Sequence, residues 1–142
     1  MPVIGFSIKR MDARKDKEQS GAQITVNSTP NIVDVKEIDV QSLEKKAISV
    51  QYEFITRYET DVGTIKIEGD ILYLADNGNK EILDKWEKDK ALPDGVSLDV
   101  LNVLFRRCLT KIVSLAEDVQ LPPPVQFPMI KIKEDAKQAI NS

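Results

Sequence analysis

Two neighbouring stretches alternate in hydropathy so regularly that they constrain this chain more than any other feature. In residues 47–59, Ile48, Val50, Tyr52 and Phe54 fall on one side, and Ser49, Gln51, Glu53, Arg57 and Glu59 on the other. After Thr60-Asp61-Val62-Gly63 the pattern resumes, with Ile65, Ile67, Ile71 and Tyr73 opposed to Thr64, Lys66, Glu68 and Asp70. Side chains of a strand alternate between its faces, so each stretch predicts a strand with one core face and one wet face. The short loop between them predicts an antiparallel hairpin. In residues 71–75 both faces turn apolar, which predicts cover on both sides of that end, beyond a bulge at Gly69.

The segments before the hairpin are plainer. Ile4, Phe6 and Ile8 alternate as a half-buried first strand does. Residues 10–21 mix both charge signs with almost no apolar content, which predicts an exposed connection. Asp12, Asp16 and Glu18 cancel the field that a basic nucleic-acid arm would need. Residues 24–26 and 32–40 read as two short extended pieces separated by the turn-prone Asn27-Ser28-Thr29-Pro30-Asn31.

After the hairpin the period changes to helical. Asn79 is placed to cap a short helix running to about Lys90, with Glu81–Lys85 and Asp84–Lys88 one turn apart and a thin apolar side of Ile82, Leu83 and Trp86. Leu92-Pro93-Asp94-Gly95 breaks the chain, and Ser97 is placed to cap a longer helix with Asp99 in its first turn. That helix carries Leu101, Leu104, Phe105, Cys108, Ile112, Leu115 and Val119 at helical spacing, beside a second stripe of Val100, Val103, Leu109, Val113 and Ala116. Such a side is wider than one sheet needs. It predicts self-association, most economically against the same helix of a second subunit, through Leu101, Leu104, Phe105, Cys108, Ile112 and Leu115. Pro122-Pro123-Pro124 should end the helix, and Val125, Phe127 and Met129 then lie on a segment that proline confines to an edge. With Trp86 they supply bulky apolar surface, which either marks a partner site or closes the end of the sheet.

Composition removes most catalytic classes. Histidine is absent and Cys108 is the one cysteine. That excludes a disulfide framework, cysteine-rich zinc sites and histidine-assisted nucleophiles, so no cofactor or metal is expected. Cys108 sits among Leu104, Phe105 and Ile112, where a thiol acts as a small hydrophobe. Glu68 and Asp70, two apart on a wet face, are the remaining route to acid–base or metal chemistry. Lys66 and Arg57 lie in reach to neutralise them, so the reading is a solvated face rather than an enzyme. The net charge of −3 argues against nucleic acid, and no apolar run is long enough for membrane insertion. The first residues lack a basic-then-apolar signal order, so a cytoplasmic location is expected. One domain over residues 1–142 is expected, with a flexible tail from 133 to 142.

Asn102-Val103-Leu104-Phe105-Arg106-Arg107-Cys108, followed by Leu121-Pro122-Pro123-Pro124-Val125-Gln126-Phe127, resembles the C-terminal part of the SecB-type export chaperones, and the hairpin of residues 48–75 matches in order and kind. The resemblance covers roughly residues 43–130. It implies an α+β fold: a four-stranded antiparallel sheet with two C-terminal helices packed on one face, assembling into a dimer or tetramer. It also implies an ATP-independent holdase for unfolded or precursor polypeptides, with Tyr73, Leu74, Trp86, Val125, Phe127 and Met129 along an apolar groove. The alternative on the same fold is a non-catalytic scaffold or specific protein-binding module. The charge-alternating tail departs from the acidic tail common in that family, which puts contact with an export motor in doubt.

Overall fold

The computed structural model describes residues 3–18, 24–59, 61–75 and 78–124. Four strands, β1 (Val3–Lys15), β2 (Thr25–Val40), β3 (Lys45–Glu59) and β4 (Gly63–Tyr73), precede helices α1 (Asn79–Asp89) and α2 (Asp94–Asp118). Every pairing is antiparallel and the spatial order is β1-β4-β3-β2. The expected hairpin is the centre of the sheet, with Ile48 opposite Tyr73 and Phe54 opposite Ile67. Its inward residues Ile48, Val50, Tyr52, Phe54, Ile65, Ile67 and Ile71 are fully buried.

Both helices lie on that one face. Phe105 of α2 meets the Phe54 ring edge-on at 5.4 Å, Arg107 stands over Phe6, and Asn79 of α1 donates to Glu37. Phe6, Glu37 and Phe54 share the inward parity, because Phe6 pairs with Ile71 and Glu37 with Ile48. At the sheet end expected to be covered on both sides, Leu72 and Leu74 are half-buried and Ser49, opposite Leu72, is buried.

The edge strands are longer than the sequence reading allows. Residues 10–15, expected in an exposed connection, belong to β1, with Met11, Ala13 and Lys15 opposite inward-facing Ile67, Ile65 and Gly63. Arg10, Asp12 and Arg14 point the other way, and an edge strand with one wet face tolerates such charges. Likewise residues 27–31 are not a turn: β2 runs through them with Pro30 opposite Phe54, and the irregularity falls between Ile32 and Asp34 instead. An edge strand hydrogen-bonds on one side only, which makes room for proline.

The expected bulge at Gly69 is also displaced. The β3–β4 ladder runs through Gly69 without a shift, and the irregularity lies on β1 between Ile8 and Arg10. Gly69 instead permits a close approach. The Tyr52 hydroxyl donates to the Ser7 carbonyl at 3.0 Å while its ring stacks on Phe6 at 5.4 Å. A Cβ on Gly69 would stand 1.9 Å from the Ser7 oxygen and 2.7 Å from the Tyr52 hydroxyl.

The helix ends differ from expectation in detail. Asn79 does not cap α1; it donates to Glu37 at 3.1 Å and to the Lys46 carbonyl at 3.2 Å, pinning the helix to the β2–β3 hairpin. The helix-surface ion pair is Lys85–Asp89 rather than either expected pair. Helix α2 starts at Asp94, one turn before Ser97, with Pro93 as the flanking residue and Asp94 beside the exposed N–H groups of the first turn. It ends before the prolines: Gln120 is left-handed, Gln120 N–H donates to Glu117 and Leu121 N–H to Ala116, and Leu121 is buried. That is a Schellman closure, stabilised by its apolar residue.

Two glycine substitutions test this account. Gly69→Ala should lower unfolding free energy in urea by more than about 2 kcal/mol, because a backbone carbonyl must move. Gly95→Ala, with nothing within 4 Å of the added Cβ, should leave stability unchanged or raise it by up to about 1 kcal/mol.

Candidate functional site

Helix α2 buries a single row. Val100, Leu104, Cys108, Ile112 and Ala116, spaced four apart, are all at 0% exposure against the sheet. The row takes members from both stripes read in the sequence, because a ridge at i±4 packs along a sheet better than a straight stripe does. Advancing the first four positions by one gives Leu101, Phe105, Leu109 and Val113, a second apolar row on the flank nearer β3 and β2 that ends at the exposed Glu117. These remain only partly covered: Phe105 is 38% exposed, and Leu98, one turn before Leu101, is 62% exposed. Beyond Phe105 the inward face continues on β2, where Pro30 lies opposite Phe54, and Val26 and Ile32 are half-buried. Phe105 on α2 and Pro30 and Ile32 on β2 thus border apolar surface on the helix side of the sheet, with Leu98 exposed nearer the Tyr73 end.

Of the residues expected to bind a polypeptide, Tyr73, Leu74 and Trp86 are among the described residues. Tyr73 is 7% exposed and donates its hydroxyl to Asp99 at 3.1 Å, anchoring the first turns of α2. Trp86 is 8% exposed, covered within this chain and overlain by Lys90. Leu74 borders a separate cleft with Lys45, Lys46, Asn79 and Lys80. Val125, Phe127 and Met129 lie outside the described residues, as does the tail of residues 133–142. Of the residues expected at a subunit interface, Leu104, Cys108 and Ile112 are already enclosed by the chain's own sheet, whereas Leu101, Phe105 and Leu115 retain exposure. Leu98 was absent from the sequence reading because a helix begun at Ser97 leaves it in an unassigned first turn. Its spacing of three from Leu101 was the available signal.

The opposite face of the sheet is ionic. Lys66 bridges Glu53 at 3.3 Å and Glu68 at 3.0 Å, and Lys9 holds Asp70 at 2.6 Å. Glu68 and Asp70 therefore each have a lysine partner, although Asp70's comes from β1 and not from Arg57. Among the described residues no three Asp, Glu, Cys or His side chains are grouped to hold a metal ion, and no helix is long and apolar enough to cross a membrane.

The titratable groups inside the core are pushed toward their neutral forms. Burial raises the Cys108 thiol from 9.0 to about 12 and the Tyr58 phenol from 10.0 to about 12. Tyr52 is raised as well, first by burial and then by the adjacent Cys108. Each of these acids binds its proton more tightly folded than unfolded, so it contributes stability in full below its unfolded pKa, and that stability is lost as pH rises toward the folded value. Unfolding free energy should hence hold level up to a pH of about 9 and fall between there and about 12. Chemical denaturation across that range measures it, and Cys108 should react with a thiol reagent at mildly alkaline pH only once the protein is unfolded.

No family model and no curated sequence matches the chain. A solved structure does: the SecB-like chaperone of Mycobacterium tuberculosis, in complex with a ChAD peptide from the HigA1 antitoxin. It superposes with a TM-score of 0.54 at 12% sequence identity, covering 91% of this chain and 89% of that one. The fold is SecB-like, with the four-stranded antiparallel sheet and two C-terminal helices that the sequence resemblance implies.

Proposed function

We propose that this protein is an ATP-independent chaperone that holds unfolded or precursor polypeptides on the apolar surface between α2 and β2. The observation that carries the reading is the second row of α2. Leu101, Phe105, Leu109 and Val113 are apolar and keep part of their surface exposed beside the fully buried row of Val100, Leu104, Cys108, Ile112 and Ala116. Contiguous apolar surface of this kind marks an interaction site. The solved SecB-like neighbour holds a peptide, which supports a polypeptide as the occupant. Holding an unfolded chain requires no catalytic group, only exposed apolar area matched to transiently exposed apolar segments.

On this reading Leu98 and Phe105 make contact with the client, Tyr73 and Trp86 pack within the core, and Leu74, Val125, Phe127 and Met129 are further proposed client contacts. The protein works in the cytoplasm, without cofactor or metal, as a dimer or tetramer joined through Leu101, Leu115 and the sheet edges. A scaffold on the same fold is the second reading, favoured by the same row: a partner subunit seated on Leu98 and Phe105 would bury them.

Light scattering of an aggregating unfolded client separates the two. Scattering should fall to baseline near a simple subunit-to-client ratio, and Leu98→Ser combined with Phe105→Ser should weaken that protection severalfold while circular dichroism stays unchanged. Unchanged scattering at large excess would overturn the holdase reading. Unchanged scattering together with loss of subunit association in the double variant would favour the scaffold.

A further inference from the structure

The two flanks of α2 differ in chemistry. On the side away from Phe105, the helix and β1 enclose a cleft of about 420 Å³ lined by Phe6, Ile8, Arg106, Arg107, Lys111 and the hydroxyl-bearing Ser114, with Thr110 between them. Three cations line it and no acidic side chain does. Three other surface clefts mix signs: Glu37 stands among Lys45, Lys46 and Lys80, Asp39 and Glu44 face Lys45 and Lys46, and Asp84 and Asp89 face Lys85 and Lys88.

The three cations have no acidic neighbour on their own helix either. Positions three and four away from Arg106, Arg107 and Lys111 carry Asn102, Val103, Leu104, Cys108, Leu109, Thr110, Ser114 and Leu115, and Arg107 and Lys111 are themselves a like-charge pair one turn apart. Such a pair is mildly unfavourable in an isolated helix. Among the described residues none of the three forms an ion pair, whereas Lys9, Arg10, Arg14, Lys15 and Lys66 of the sheet all do. Thr110 spends its hydroxyl on the Arg106 carbonyl at 2.7 Å, so the free donors of the cleft are the cations and Ser114.

Arg107 is held in place. Its guanidinium lies 4.8 Å from the centre of the Phe6 ring. A guanidinium engaged through its face keeps its in-plane N–H donors for a planar, bidentate anion such as a carboxylate. Phe6 and Ile8 beside it supply apolar area for the rest of the residue that carries the anion.

We propose that this cleft is a second subsite of the polypeptide-binding surface, selecting segments in which carboxylates are interspersed with apolar side chains. It rests on the holdase reading above and names the substrate class: acidic, apolar stretches of unfolded chain, whose leucine-like side chains take the Phe105 flank while their glutamates or aspartates meet Arg106, Arg107 and Lys111. Exposed charge pairs act within about a Debye length, ~10 Å at moderate salt, so the preference is strongest at low ionic strength.

The test is fluorescence anisotropy of a labelled peptide alternating leucine with glutamate, against its glutamine counterpart, on the full-length protein. The glutamate peptide should bind about fivefold tighter in low salt, lose that margin in high salt, and lose it in Arg106→Gln combined with Lys111→Gln, whose side chains are exposed. The glutamine peptide should bind the variant and the unmodified protein alike. Equal binding of the two peptides to the unmodified protein overturns this inference and leaves the holdase reading standing. Failure of both peptides to bind overturns the two together. Tighter capture of a single-stranded RNA oligonucleotide than of the glutamate peptide, or a change of subunit number in the double variant with peptide binding intact, also overturns the inference.

Discussion

The inner face of β3 carries Ile48, Val50, Tyr52, Phe54, Thr56 and Tyr58, all at 1% exposure or less, and the remaining elements are placed by contact with it. Tyr52 reaches over Gly69 to the Ser7 carbonyl and draws β1 onto the far side of β4. Phe54 receives Phe105 and sets the depth of α2. Tyr58 donates to the Pro122 carbonyl and fixes where the chain leaves that helix. Buried hydroxyls that find partners cost little, while orphaned ones would cost about 1–3 kcal/mol each, so Tyr52 and Tyr58 specify geometry as well as bury area.

Because α1 and α2 both settle on this face, the opposite face is more open and carries ion pairs, with Ser49 and Ile55 its buried members on β3. Lysine-bridged carboxylates such as Glu53 and Glu68 suit that role, and the raised pKa of Lys66, due first to its hydrogen bond with Glu68, reflects one cation shared between two carboxylates. The helix side divides further. One row of α2 closes the core, one apolar row is left over toward β2, and the flank toward β1 is cationic. A surface with those two chemistries on either side of one rigid helix suits irregular, extended partners better than a small rigid ligand.

Much of this was legible in the sequence where period and burial coincide. Strands β3 and β4, the inward set from Ile48 to Tyr73, and the existence of both helices follow from alternation and helical spacing. The edges were not legible. Arg10 to Lys15 looks like a loop because an edge strand with one wet face carries loop-like composition, and Asn27 to Asn31 looks like a turn because proline and asparagine are tolerated where one side has no ladder. Gly69 announces something unusual but not what, since a bulge and a close approach both require it. The candidate site was half legible: the excess width of α2 is plain in its apolar content, yet which row faces the sheet depends on the crossing direction, and a shift of one residue exchanges Leu104 for Phe105.

On the proposed function, an unfolded chain is held on the helix side of this protein, along the Phe105 row. Site-specific photo-crosslinking tests it most directly: a photoreactive residue placed at Phe105, or at Lys66 on the ionic face, irradiated in the presence of an unfolded client. The account predicts client adducts from position 105 and none above background from position 66. Adducts from position 66 with none from position 105 would contradict it.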